Sequence, residues 1–331
     1  MNFFQFIGTQ RSGSNLFRLM LNEFDGVYAP HPPHLLKTFY PILSKYQNLN
    51  DDVNLQKLIE DMLKWIHNNP VRWNNVPSYS ELFESLNKRS LFEIFRLLYT
   101  TNAIKENKNK FWCCKSLFNL KFYNLKEFKS LNPIYIYIYR DGRDVASSFK
   151  NASIGDKQIY FLAKQWQSDQ MICKKIKDNT SDYNFFSVKY EDLLIYPRKI
   201  LKRFCEKYDI TYNDDFLNYY KSEESKLTSS SGSLWKNLSK PIISNNKGKY
   251  KTELSSNEIK IFESLNYESL KLLGYNVDNE LSNLIKNFTS EKIEEFVMLN
   301  KEIKENLSKK RDNKELELRR RQELILNKSI N

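Results

Sequence analysis

The chain has 331 residues, 40% of them hydrophobic and 14% aromatic, enough apolar side chain for a sizeable core and too much for wholesale disorder. No run approaches the roughly 18 consecutive apolar residues of a membrane span, and the opening MNFFQFIGTQRSGSN has no basic start and turns polar too early for a secretory leader. Net charge is +12, from 52 basic and 40 acidic residues, which points to an anionic partner whose nature the distribution of charge must decide.

Phe3-Phe4-Gln5-Phe6-Ile7 is a short apolar run stopped by Gly8, and it predicts a buried strand. After the loop Gly8–Asn15, apolar residues from Leu16 to Phe24 continue with helical character. Ala29-Pro30-His31-Pro32-Pro33-His34 follows as a stiff turn, because proline fixes the backbone. Apolar spacings of three and four predict helices over 51–68 and 80–105. Phe111-Trp112-Cys113-Cys114 predicts a second strand. Pro133–Tyr139, β-branched and aromatic throughout, is the clearest strand; it runs into Arg140-Asp141-Gly142-Arg143-Asp144 and then a helix. Asn184–Tyr190 is a further strand ending in a charged turn. Strands separated by helical segments predict an α/β fold, three layers (α/β/α) around a central parallel sheet.

Composition changes near Ser290. Residues 291–331 carry 20 charged side chains, 11 basic and 9 acidic, with no glycine or proline. The expectation is one domain over 1–280 and a charged, helical C-terminal extension over 281–331. Its apolar positions are spaced loosely for a coiled coil, so a solvated helix is the plain reading and pairing between copies the alternative. The four cysteines, Cys113, Cys114, Cys173 and Cys205, form no CxxC pair, so a reducing, cytoplasmic setting with structural thiols is expected.

Gly8-Thr9-Gln10-Arg11-Ser12-Gly13-Ser14-Asn15 joins a strand to a helix. Amides at a helix N-terminus point outward without partners and carry partial positive charge, so an oligoanion is stabilised there. The two glycines have the GxxxxG spacing of a nucleotide P-loop. Ser14-Asn15 stands where an NTPase or kinase needs Lys followed by Ser or Thr, and Arg11 is the cation inside the loop. A phosphate site without metal-bound triphosphate chemistry is expected; a plain glycine turn is the alternative. The second basic turn offers Arg140, whose planar fork grips phosphate, and Ser148 eight residues on, at the end of a strand where open α/β sheets bind ligands. Arg143 and Asp144 suit a capping cluster better than a ligand.

Together, FIGTQRSGSNLFRLML and IYIYIYRDGRDVASSF resemble the two signatures of the PAPS-dependent sulfotransferase family, strand–GxPRSGTT–helix and strand–RDPRDVxxS–helix. The likeness continues through SVKYEDL (Ser187–Leu193), Lys247-Gly248-Lys249-Tyr250 and Leu273-Gly274-Tyr275, covering roughly residues 3–278. It implies the P-loop-like sulfotransferase fold and transfer of a sulfuryl group from 3′-phosphoadenylyl sulfate (PAPS) to a hydroxyl group of a carbohydrate, lipid headgroup or small molecule, releasing PAP with no metal. Carried onto this chain, Arg11, Ser12, Gly13, Ser14 and Asn15 would cradle the 5′-phosphosulfate. Arg140 and Ser148 would hold the 3′-phosphate, Tyr190 would lie by the adenine, and Lys247, Gly248 and Lys249 would belong to the closing phosphate loop. Gln10 and Gly142 replace prolines of the family pattern, and Lys115-Ser116-Leu117 keeps the Lys of a family Lys-x-His but not its His.

Sulfuryl transfer to an alcohol needs a base at the acceptor hydroxyl and cations at the leaving phosphate oxygen. Only His31, His34 and His67 are available as histidines. His67 sits in a helical stretch far from either loop, whereas His31 and His34 follow the first helix in the proline turn, where the related tyrosine sulfotransferases carry their base. His31 is the first candidate and His34 the second, with a carboxylate such as Glu23 or Asp25 remaining open. Lys115 is expected beside the transferring group. A P-loop kinase is the alternative enzyme; a nucleic-acid binder is disfavoured because basic residues are dispersed and aromatics follow core patterns. Two histidines without further ligands do not make a zinc site.

Overall fold

A computed structural model describes residues 1–150, 152, 155–308, 317 and 320–326. Five strands, β1 (Asn2–Ile7), β2 (Val27–Tyr28), β3 (Phe111–Cys114), β4 (Pro133–Tyr139) and β5 (Phe185–Lys189), form one sheet in the order β2-β3-β1-β4-β5. Every pairing is parallel. Parallel neighbours need crossover connections, and helices supply them. In the first half these are α1 (Ser14–Asn22), α2 (Leu35–Phe39), α3 (Asp52–His67), α4 (Tyr79–Glu84), α5 (Leu91–Lys105) and α6 (Lys126–Lys129). α7 (Gly142–Lys150) and α8 (Ile159–Asp178) follow β4, and α9 (Tyr190–Ile195) and α10 (Pro197–Tyr208) follow the edge strand β5. α11 (Glu223–Ser230), α12 (Tyr250–Glu253), α13 (Ser256–Leu272) and α14 (Ser290–Ser308) follow, and residues 320–326 are helical as well.

The continuous apolar strands are explained by burial on both faces. Alternation sends neighbouring phenylalanines to opposite layers. Phe3 stacks on Trp112 at 3.8 Å on one side of the sheet, and Phe4 stacks on Phe111 at 4.5 Å on the other. Gln5, next along β1, is fully buried, and its amide is satisfied by the carbonyls of Phe6, Cys114 and Ser116 and by Asn119. That amide pins the end of β3 to β1, which fixes where Lys115 emerges.

The three-layer α/β expectation holds, and the predicted strands at 3–7, 111–114, 133–139 and 184–190 match β1, β3, β4 and β5. Two details differ. The helix expected over 80–105 is two helices, because Ser90 caps a fresh start by accepting from the amide of Glu93 at 3.2 Å. The two-residue edge strand β2 is too short to leave a periodic signature.

Four cysteines are buried and free. Among the described residues no helix is long and apolar enough to cross a membrane. In the C-terminal extension, α14 inserts Phe296 into the core cluster formed by α7, α8 and α13, with Phe288 and Ile293 beside it.

Candidate active site

Residues 8–15 leave β1 as a tight loop that opens α1. Gly8 has φ +127°, and a Cβ there would lie 2.2 Å from the carbonyl oxygen of Ile138, so only glycine lets β1 and β4 stay adjacent at this point. Arg11 is itself left-handed at φ 71°. Gly13 caps α1 at φ 87°, and a Cβ there would come within 2.3 Å of the Tyr190 ring, so that ring lies directly over the loop. α1 has no acidic residue in its first turn to compete for its exposed amides.

The second basic turn meets the first. Arg11 Nε donates to Ser148 Oγ at 3.0 Å, tying the loop to α7. Arg140 donates to the carbonyl of Arg11 at 3.2 Å and to that of Asn246 at 3.1 Å, and its guanidinium lies 4.6 Å from the centre of the Tyr190 ring. Asn246 in turn donates to the Tyr190 hydroxyl at 2.7 Å. Burial, then Arg140 close by, lowers the pKa of Arg11. The buried Asp144, 3.6 Å from Arg140, offsets one of these charges, and two guanidiniums this near each other in a partly desolvated corner still favour a further anion beside them.

Arg143 and Asp144 take structural parts, as the capping reading expected. Arg143 pairs with Asp141 at 2.7 Å and with the fully buried Glu263 at 2.5 Å. Asp144 accepts from the amides of Gly248 and Tyr250 at 2.7 and 2.9 Å, which anchors the loop of Asn246 against Arg140. Lys247 and Lys249 on that loop are exposed and, like Gly248, stand outside the cavity wall, which Asn246 joins instead.

One cavity of about 500 Å³ runs past both basic turns. Arg11, Gly13, Ser14, Asn15, His31, His34, Lys115, Arg140 and Tyr190 all line it. Ser12 lies beneath its loop, and Ser148 touches it through Arg11. Lys37 adds a further cation, and no Asp or Glu stands among the described lining residues. Glu23 and Asp25 therefore lie outside it. A site with this lining is built for a polyanion.

The histidine turn is held from several sides. Trp73 donates to the carbonyl of His31 and Trp65 to that of Pro33, each at 2.7 Å. The fully buried Arg18 donates to the carbonyl of Ala29 at 2.7 Å and pairs with Glu224 at 2.5 Å. His31 is 6% exposed, packs edge-on against Trp235 at 5.8 Å, and neither ring nitrogen has a hydrogen-bond partner. Burial, with Lys115, Arg18 and His34 nearby, pushes its pKa well below the usual histidine value, so the ring is neutral near pH 7. His34 differs: it is left-handed at φ 56°, and its Nδ1 lies 2.9 Å from Ser116 Oγ. Lys115 precedes that serine; burial first, then Arg18 and Arg11, pulls its pKa down to about 7.

Several groups in the cavity were not singled out from sequence. Asn246, Trp235 and Gln322 reach it from segments far along the chain; only Asn246, next to the Lys-Gly-Lys-Tyr run, carried a local signal.

Buried polar atoms on both basic turns are open to a polar ligand. Ser12 Oγ, Asn15 Oδ1 and Arg140 Nε have no partner within the protein, and unsatisfied buried polar groups of this kind are costly unless a ligand completes them. Among the described residues no cluster of His, Cys, Asp and Glu is arranged to hold a metal ion.

Comparison with known proteins agrees with this geometry. The model of the Sulfotransferase family matches residues 5–214. Among solved structures, the sulfotransferase domain from the olefin synthase of Synechococcus PCC 7002 superposes with a TM-score of 0.54 at 19% identity, covering 81% of this chain and 95% of that one. The sulfotransferase domain from the curacin biosynthetic pathway superposes with a TM-score of 0.53, also at 19% identity, covering 84% of this chain and 99% of that one. These likenesses concern the fold. Among curated proteins none matches the chain.

Proposed function

The chain belongs to the sulfotransferase family, and we propose that it transfers the sulfuryl group of PAPS to a hydroxyl group of an acceptor, releasing PAP. The observation that carries this reading is the meeting of the two basic turns: Arg11 on Ser148, and Arg140 on the loop carbonyls beneath Tyr190, in a cavity whose described lining has no carboxylate. One anion site at a strand end is common to many nucleotide folds. Two, at neighbouring strand ends β1 and β4, suit a donor with phosphate at both ends of its ribose.

In this reading the amides of 12–15 and Arg11 hold the 5′-phosphosulfate, Arg140 and Ser148 hold the 3′-phosphate, and Tyr190 packs at the base. Asn246 keeps the Tyr190 hydroxyl in place. Lys247, Gly248 and Lys249 follow Asn246 outside the cavity wall, where the two lysines add positive charge near this end.

The acceptor enters from the side of His31, His34 and Lys115. His31, neutral and without a protein partner, takes the proton of the acceptor hydroxyl as its oxygen bonds to sulfur and the sulfur–oxygen bond to phosphate breaks. Lys115, in its ammonium form, and Arg11 balance the negative charge that grows on the leaving phosphate oxygen. His34, engaged with Ser116, holds the Lys115 turn in register with the histidine turn.

Calorimetric titration with PAP tests the donor half; micromolar binding is expected, and no binding below millimolar overturns it. A transfer screen from labelled PAPS against pooled carbohydrate, lipid and small-molecule hydroxyl acceptors then identifies the other substrate.

A further inference from the structure

The family match ends at residue 214, yet the C-terminal extension reaches the rim of the cavity. Gly155, in the connection from α7 to α8, lines the cavity. The next three residues are held by one side chain of α14. Asn300 Oδ1 accepts from the amides of Lys157 and Gln158 at 2.8 and 3.1 Å, while its Nδ2 donates to Asp156 at 2.9 Å. Lys304, one turn on, pairs with the same Asp156 at 3.3 Å.

The clamp passes inward through Lys157. This side chain is 3% exposed, and its ammonium caps the end of α7 by donating to the carbonyls of Phe149 and Ala152 at 2.6 and 2.5 Å. Phe149 is the neighbour of Ser148, which accepts from Arg11. Hydrogen bonds linked through the covalent chain of Lys157 and of Phe149-Ser148 thus lead from α14 to the cation of the phosphate loop. Asn300 thus gathers the amides of Lys157 and Gln158 and the carboxylate that Lys304 also pairs, and Phe296, one helical turn before it, fixes α14 by burial in the core.

We propose that the C-terminal extension is a working part of the active site, with Asn300 as a positioning residue that holds the connection 155–158, and through Lys157 the end of α7, in the conformation that binds the donor. This rests on the donor reading above.

The test compares full-length wild type with Asn300→Ala and with the exchanged pair Asn300→Asp plus Asp156→Asn, which restores one donor and one acceptor on opposite sides. Amide exchange at Lys157 and Gln158 and the dissociation constant for PAP are measured together. In Asn300→Ala the two amides lose protection and PAP binds about tenfold more weakly, as expected for losing hydrogen bonds that hold a binding loop; the exchanged pair recovers most of both. Loss of protection with unchanged PAP affinity shows a merely structural contact and overturns the inference, as does unchanged protection. Wild-type protein that fails to bind PAP overturns the donor reading instead, a result distinct from either.

Discussion

Arg11 and Ser148 stand 137 positions apart in sequence and 3.0 Å apart in space, Nε to Oγ. Because one belongs to the loop before α1 and the other to α7, this contact ties the two strand-end loops together, so the anion site proposed above spans both. Arg140 closes the arrangement by donating to the backbone of Arg11 while lying over Tyr190. Arg140→Lys keeps the charge and loses the planar fork that bonds two carbonyls and stacks on the ring. PAP affinity falls by about tenfold to a hundredfold in calorimetry, the range of one or two hydrogen bonds to a charged group. Affinity unchanged in Arg140→Lys would show that the second phosphate is held elsewhere.

Two arginines three positions apart are predicted to behave oppositely. Arg143 is buried against Asp141, Glu263 and the Tyr250 ring. Arg143→Met leaves Glu263 buried beside two backbone amides but without its cation, and removing one member of a buried pair costs about 3–5 kcal/mol. Denaturant unfolding of this variant should move to much lower midpoint while the folded fraction still binds PAP. The reverse pattern, normal stability with lost binding, would move Arg143 into the ligand site.

The difference between these arginines marks how far sequence reading reaches. Both loops and their placement at strand ends were legible, because glycine spacing and the switch from strand to helix are local signals. That Arg143 and Asp144 suit a cap was also legible, but Glu263, 120 residues from Arg143, was not. Neither was the ring of Tyr190 over Gly13, nor the approach of Asn246, Trp235 and Gln322 to the cavity, since all are set by packing between distant segments. His31 and His34 look equivalent in the Pro-rich turn; burial and the Ser116 contact are what separate them.

That separation predicts unequal roles. His31→Ala removes the neutral, cavity-lining ring proposed as the base and should slow single-turnover sulfuryl transfer by about 10²- to 10⁴-fold, with PAP affinity within a few-fold of wild type. His34→Ala should lose less, because its contact with Ser116 is a matter of position. Full turnover in His31→Ala would remove it from proton transfer and direct attention to His34.

Lys115 links binding to protons. Burial and the guanidiniums of Arg18 and Arg11 bring its pKa to about 7, from 10.5 for a free lysine. The sign follows directly: between these values the folded protein lacks a proton that the unfolded chain keeps, so on this account stability rises with pH across the window. A bound polyanion favours the ammonium and raises the pKa, so at pH ~8 PAP binding takes up a proton and affinity weakens as pH increases. Calorimetry at that pH in two buffers of different ionisation enthalpy measures the uptake as a difference in apparent heat. Wild type should show uptake of a large fraction of one proton, and Lys115→Met close to none. If the heats agree between buffers in wild type, or the uptake survives in Lys115→Met, the lysine does not face the phosphate, and its part in balancing charge on the leaving group falls with it.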